Sequence, residues 1–356
     1  MDPRCPRASG QWSRLILMES LQNLKKRIRS VHNVGKITKA MELVAATKMR
    51  KSQQIALDSR PYAFVALDLL ASLSVLEGIK KNEMPELCKT RKQIKKVLFV
   101  LVASDKGLAG AFNSSVFKKF EQHAQIEKQE WEKEEKLYLA VGEKSFAYLS
   151  KKKLPMVKKP QPLSQGAGPS TNPSGSVLRF AQAGDFTTPE QVQPITDFIV
   201  QGYLDKKWDR VIVVSTHFIS ALKQEPHVRR VLPIDFDHIA ETVRQMIPER
   251  GKFADLIKEH SINFVPDKSK LNEYLIEPSP KKVLEKLAKH LFFMQFYQLI
   301  LEANASEHSA RRLAMKTASD NAKDLGENLN LQYNKSRQSR ITTEISEISA
   351  GAEALS

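Results

Sequence analysis

Cysteine is nearly missing from this chain: Cys5 and Cys88 are the only two in 356 residues, and they stand in no CxxC or metal-ligand spacing. Neither a disulfide framework nor a zinc site is indicated, and a reducing compartment fits. Long apolar runs are missing as well. The two most lipid-like windows are Tyr62–Leu76, interrupted by Asp68, and Leu291–Leu301, interrupted by Gln295 and Gln298. Both fall short of the ~20 apolar residues a membrane span needs, so any membrane association is expected to be peripheral. Residues 1–17 include Arg4, Arg7 and Arg14, but the only apolar run there is Leu15–Met18, too short for a secretory segment. We read these residues as a disordered extension, a transit peptide or the product of a mis-set start, and favour Met18 as the start because a helical pattern begins just after it.

Proline is absent from Lys281–Ser356, and the glycines there are Gly326 and Gly351. That absence permits one uninterrupted helix of 76 residues, about 110 Å long at ~1.5 Å per residue. Acidic residues are scarce between Glu19 and Lys51, where nine Lys or Arg face two acids, Glu19 and Glu42. The whole chain has a formal net charge of +16 and a pI near 9.6, which calls for nucleic acid, anionic lipid or an acidic protein as partner.

What is present is a set of narrow apolar stripes at the two ends. Near the C-terminus Ile341, Ile345, Ile348, Ala352 and Leu355 recur at intervals of four and three, the spacing of a coiled-coil seam. Near the N-terminus Leu21, Leu24, Ile28 and Val31, then Val34, Ile37, Met41 and Val44, follow the same intervals, and we take this as the partner seam. The N-terminal helix extends on paper from Glu19 to Glu77, with Pro61 expected to kink or break it. Ser279 and Pro280 suit the N-cap and first position of the C-terminal helix.

Between the ends the texture changes. Val97–Ala103 is a continuous apolar run of strand length, as expected for a strand covered on both faces, and Leu137–Val141 and Val211–Val214 repeat it. Helical stretches near Ser114–Ala124, Glu143–Leu149 and Pro189–Leu204 alternate with them, so the middle reads as an α/β domain. Arg229–Ile234 is expected as an edge strand, Phe264–Ile276 as an extended return and Pro160–Ser176 as a mobile loop.

Ser104–Gly110 (SDKGLAG) sits where α/β proteins place phosphate loops, yet it matches neither the dinucleotide fingerprint nor the P-loop. A tight strand-to-helix turn with Asp105 as cap is the preferred reading. No HExxH pair, no GxSxG elbow and no flanked SxxK box occurs. Neither a catalytic site nor a cofactor is expected. Arg337, Gln338, Thr342 and Glu344 interrupt the surface beside the terminal Ile stripe, offering a guanidinium, an amide, a hydroxyl and a carboxylate to a surrounding protein.

Three blocks then carry a resemblance: Arg27–Val31 with Lys36–Arg50; Ser104–Gly110; and Ser306–His308 through Asn321 and Ala322 to Asn334–Gln338 and Ile341–Ile348. Tyr274–Ser279 and Phe218–Ser220 agree further. On these residues the chain resembles the γ subunit of F-type ATP synthase, the central rotor shaft, over about Met18 to Leu355. The resemblance implies an α+α/β architecture: a long antiparallel coiled coil of the N- and C-terminal helices (18–80 and 279–356) with an inserted Rossmann-like α/β foot (95–276). It implies a non-catalytic subunit, one copy per complex, with the α and β subunits, the ε subunit and the membrane c-ring as partners and no nucleic acid. It implies a peripheral position at the cytoplasmic face of the bacterial inner membrane, the mitochondrial matrix side being the alternative. Met41, Lys48, Arg337, Gln338, Thr342 and Glu344 match positions that contact the β subunits, and Leu24, Ile28, Val31, Ile37, Val44, Ile341, Ile345 and Ile348 fill the seam. Ala109, Arg312 and Arg340 depart from the family's usual residues, and its chloroplast cysteine pair is absent. Two readings from other classes stand beside this one, a basic coiled-coil protein that binds nucleic acid and a Rossmann-like enzyme.

Overall fold

The computed structural model describes residues 20–74, 85–91, 93–130, 134–157, 179–180, 187–234 and 277–355. The expectations for residues 1–17 and Met18, for the Pro160–Ser176 loop and for the Phe264–Ile276 return lie outside the described residues. In chain order the elements are α1 (Leu21–Ser74), a 3₁₀ turn (Glu86–Cys88), β1 (Lys96–Val102), α2 (Phe112–Glu130), β2 (Glu135–Val141), α3 (Glu143–Lys151), β3 (Arg179–Phe180), α4 (Pro189–Leu204), β4 (Arg210–Phe218), β5 (Gln224–Leu232) and α5 (Pro280–Leu355). The described residues up to Val44, with those from Arg312 on, form one compact body, and the described residues from Ala45 to Arg311 form another.

The larger body is built on a mixed sheet of order β3-β2-β1-β4-β5, with β5 alone antiparallel to its neighbour. Alternate residues of β1 enter different cores. Leu98, Val100 and Val102 pack with Ile199 and Tyr203 of α4 and with Phe292, Phe296 and Leu299 of α5. Val97, Phe99 and Leu101 pack with Val116 and Phe120 of α2 and Leu149 of α3. This two-sided burial is why the strand reads as an unbroken apolar run, and each fully buried side chain contributes about 1.5–3 kcal/mol of transfer free energy. The edge strand expected at Arg229–Ile234 starts earlier, because Gln224–Leu232 pairs along the whole of β4.

Helix α5 opens where its cap residues predict. Ser279 Oγ accepts from the Lys282 amide at 3.4 Å, and Pro280 takes the first helical position, where its missing donor costs nothing. Of the kink or break expected at Pro61, the break does not occur: α1 is one helix from Leu21 to Ser74. A proline deletes one backbone hydrogen bond, a loss of about 3 kcal/mol, among the many of a 54-residue helix.

In the smaller body the two helices meet through small residues. Gly326 faces Val31, whose Cγ1 would lie 3.9 Å from a Cβ at that glycine, and Gly35 faces Ala322 in the same way at 3.5 Å. Four residues up α1 match four residues down α5, so the helices run antiparallel here. The inward row of α1 is Leu24, Ile28, Val31, Gly35, Thr38 and Glu42, at alternating intervals of four and three. Its polar members are satisfied locally: Thr38 Oγ1 donates to the carbonyls of Val34 and Gly35, and Glu42 receives Lys39 Nζ at 2.9 Å.

Two parts of the expected seam need correction. Ile37 and Val44 are 60% and 52% exposed, off the row that holds Leu24, Ile28 and Val31. Ile341, Ile345 and Ile348 are 46%, 58% and 72% exposed. The register explains the second result. Leu21, where α1 begins, stands ten residues before Val31, and Ser336 stands ten after Gly326, so α5 continues past the level of Leu21. Every residue from 337 to 352 is exposed. The inward row of α5 is instead Met315, Ser319, Ala322, Gly326, Leu329 and Tyr333, mostly small or polar and therefore invisible to a search for large apolar residues.

Candidate partner-contact surfaces

The end of α5 presents a continuous face. At 3.6 residues per turn, Arg337 and Glu344 lie in one row two turns apart, Gln338 and Thr342 in a second row one turn apart, and Ile341, Ile345 and Ile348 fall between them. An exposed apolar stripe with polar residues on both flanks has the composition of a protein contact surface. The polar residues are held in place within the helix. Arg340 Nε donates to Glu344 Oε1 at 2.8 Å, and Thr342 Oγ1 donates to the Gln338 carbonyl at 3.0 Å. The Arg340–Glu344 pair is exposed, with side chains 66% and 54% accessible, and such a pair contributes only a few tenths of a kcal/mol. Its value is positional.

On α1, Met41 and Lys48 are half-buried, whereas Val34, Ile37, Leu43 and Val44 are exposed. Val34, Ile37, Met41 and Val44 at intervals of three, four and three still form one stripe, on an outward side of the helix. The sequence pattern was real; its assignment to the helix pair was not.

The Ser104–Gly110 loop leaves the carboxyl end of β1, the strand flanked by β2 and β4. In α/β folds that crevice is the usual place for a phosphate. Here the chain's own groups use the loop. Ser104 Oγ donates to the Lys106 carbonyl at 2.7 Å, and Asn113 Oδ1 accepts from the Ser104 amide at 3.1 Å. Asp105 does cap a helix, but it is α3 and not α2: its Oδ1 accepts from the Glu143 amide at 2.9 Å. Arg311 of α5 donates to the Gly107 carbonyl from Nη2 at 3.3 Å and is itself held by Glu307 Oε1 at 2.5 Å, with His308 Nδ1 3.2 Å away. Burial pushes the Glu307 carboxyl up in pKa against the opposing pull of Arg311. Sequence reading missed Arg311; its one signal was the Glu307–Arg311 spacing of four, which favours an ion pair on a helix.

A second buried polar cluster fastens the β4–β5 hairpin to α5. Glu302, 3% exposed, receives His217 Nδ1 at 2.6 Å, with Arg229 Nη1 3.9 Å from the same oxygen. Burial, reinforced by the positive charge of Arg229, lowers the pKa of the neighbouring His227. Cys88 is half-buried and its thiol is pushed up to about 12 by desolvation, so it is a poor nucleophile. Among the described residues no group of His, Cys, Asp or Glu is arranged to hold a metal ion, and no helix is long and apolar enough to cross a membrane.

Residues 20–355 match the family model described as ATP synthase. The chain is 34% identical over 339 residues to the ATP synthase gamma chain of Roseiflexus castenholzii, an alignment covering 95% of this chain and 99% of the relative. The chain belongs to the ATP synthase γ family. The γ chain of Methylacidiphilum infernorum is 32% identical over 338 residues, covering 95% of this chain and 100% of that relative. The fold is similar to that of a chain in the Euglena gracilis mitochondrial ATP synthase structure containing OSCP, F1 and the c-ring, with a TM-score of 0.51 at 16% identity over 94% of each chain. Membership of the γ family agrees with a mixed sheet joined to a long C-terminal helix.

Proposed function

We propose that this chain is the non-catalytic central-stalk subunit of an F-type ATP synthase, one copy turning inside the ring of α and β subunits to couple transmembrane ion flow to ATP synthesis and hydrolysis. The observation that carries the reading is the end of α5, which continues past the level where α1 begins and exposes an Ile stripe bordered by Arg337, Gln338, Thr342 and Glu344. A single helix with an exposed apolar face needs a surrounding protein to cover it. In this reading the antiparallel row formed by Leu24, Ile28 and Val31 holds the shaft as a coiled coil, and the tip residues, with Met41 and Lys48 lower down, meet the β subunits.

The shaft acts through unequal faces. A β subunit that meets the basic, apolar or bare side of the shaft has a different conformational equilibrium in each case, and rotation presents these sides in turn, so nucleotide affinity at each β site changes with angle. The shaft makes and breaks no covalent bond. The body around the sheet, within 95–276, serves as the Rossmann-like foot, with the c-ring and the ε subunit as its neighbours, and 18–80 and 279–356 are the arms. The complex sits peripherally on the cytoplasmic face of a bacterial inner membrane. A nucleic-acid partner finds no support among the relatives. The test is affinity purification of the tagged chain from its native membrane: α and β subunits recovered with one copy of this chain support the reading, and recovery as a free monomer overturns it.

A further inference from the structure

The β4–β5 hairpin is tied to α5 by polar groups at two levels. At the loop, Ser309 Oγ donates to the Ala221 carbonyl at 2.6 Å, and Gln224 Nε2 donates to Ser309 Oγ at 3.3 Å. Along the strands, Glu302 Oε2 receives His217 Nδ1 at 2.6 Å and stands 3.9 Å from Arg229 Nη1. Glu225, His227 and Arg229 alternate along β5 and so share one face of the sheet, the face that Arg229 turns to α5. His217 lies opposite Glu225 on β4, and its ring meets that of His227 edge-on at 5.5 Å.

The charge balance of this cluster is its unusual part. The side chains of Glu302 and Arg229 are 3% and 10% exposed and already offset each other. Neither Nη of Arg229 has a hydrogen-bond partner among the described residues, so its charge rests on the field of Glu302. A structural ion pair needs one group of each sign. Here two imidazoles stand beside a pair that is complete without them, and a proton on His227 adds positive charge next to Arg229. Burial is the first cause that holds half-buried His227 below the ordinary histidine pKa, and Arg229, His217 and Lys119 of α2 add to it. Glu225, whose Oε2 lies 3.8 Å from His227 Nε2, pulls the other way. Its side chain is 43% exposed and is shared with Lys223 at 2.8 Å, so that pull is screened.

We propose that this cluster is an acid-sensitive latch: a proton taken up by His227 loosens the hairpin from α5 and frees the loop between β4 and β5. Closed, the hairpin holds His227 below its ordinary pKa; open, it lets the imidazole bind a proton at the ordinary value of about 6.5. The closed form is therefore favoured above about pH 6.5 and loses that advantage as pH falls through the lower folded value. The loop carries Ile219 and Leu222, 45% and 79% exposed, so the latch makes an apolar surface of this body depend on pH. The inference goes beyond the stalk reading and does not rest on it, because every group in the latch belongs to this chain.

Hydrogen exchange of the full chain tests it, read by mass spectrometry at about pH 7.5 and about pH 5.5, either side of the ordinary histidine pKa. Protection of His217–Arg229 and of Glu302–Ser309 is taken relative to β1 in the same sample, which cancels the intrinsic effect of pH on exchange. In the parent, the relative protection of both segments should fall several-fold at the lower pH, within the ceiling of about tenfold per pH unit that one proton sets. His227→Gln cannot take the proton and should hold its protection at both values. His227→Arg carries the charge throughout and should be loose at both. His217→Gln loses the bond to Glu302 and should be looser at both, yet still respond to pH. The inference is overturned if the parent's relative protection is the same at both pH values, if His227→Gln loses protection as the parent does, or if the Gln and Arg variants of His227 behave alike. A pH response abolished by His217→Gln and kept by His227→Gln overturns it too, by placing the proton elsewhere.

Discussion

Gly35 of α1 lies directly against Ala322 of α5, where a Cβ added to the glycine would stand 3.5 Å from the alanine methyl. That distance is an ordinary van der Waals contact, so the glycine is not required by space. Gly35→Ala should therefore stabilise the helix pair by about 0.5–1 kcal/mol, the usual gain from replacing glycine inside a helix. Gly35→Leu should do the opposite, forcing the helices apart at a cost of about 1–3 kcal/mol. Thermal unfolding of both variants checks the pair of signs; two losses of similar size would refute the contact.

Gly202 is a glycine of the other kind. A Cβ there would come within 2.0 Å of the Trp208 ring, which is buried and donates from Nε1 to the Ile199 carbonyl at 3.1 Å. Neither the ring nor the backbone has room to yield, so Gly202→Ala should cost about 3 kcal/mol. Denaturant unfolding provides the measurement, and a cost below about 1 kcal/mol would mean that the α4 terminus repacks freely.

Asp209 pins the start of β1. Burial alone would raise its carboxyl, but the hydrogen bonds from Arg91 and from the amides of Lys95 and Lys96 outweigh it and hold its pKa below the usual value. A depressed carboxyl stabilises the fold above its unfolded pKa of about 3.9, and that contribution disappears as pH falls through the lower folded value. The parent should thus lose stability below about pH 4 more steeply than Asp209→Asn, which should start about 2–3 kcal/mol less stable at neutral pH because it leaves Arg91 without its counter-charge. Parallel pH–stability curves for the two would contradict this.

The terminal Ile stripe separates two roles by experiment. Because Ile341, Ile345 and Ile348 are exposed, replacing all three by Asn should shift unfolding by no more than about 0.5 kcal/mol per site. Coupling of ATP synthesis to ion flow should fall, as it should on deleting Ile341–Ser356, while the foot stays folded. A large drop in the stability of the isolated chain would instead assign the stripe to the shaft's own core.

The fold class and element positions were legible in the sequence because each depends on local chemistry. An unbroken apolar run required a strand buried on both faces, and Ser279-Pro280 required a helix start. The absence of proline after it permitted a single helix. The residue blocks at the two ends placed the chain in its family. What the sequence did not determine was register. Intervals of four and three describe a stripe on any helix and say nothing of what faces it. The large apolar rows at Val34–Val44 and Ile341–Ile348 therefore passed for a seam, whereas the helices approach through Gly35, Ala322 and Gly326, whose small size lets the backbones come close. Arg311 on the Gly107 carbonyl was likewise invisible, because it joins groups far apart in the chain. Only the tertiary structure decided which apolar stripe faces inward and which stays exposed, because that depends on how far one helix outruns the other.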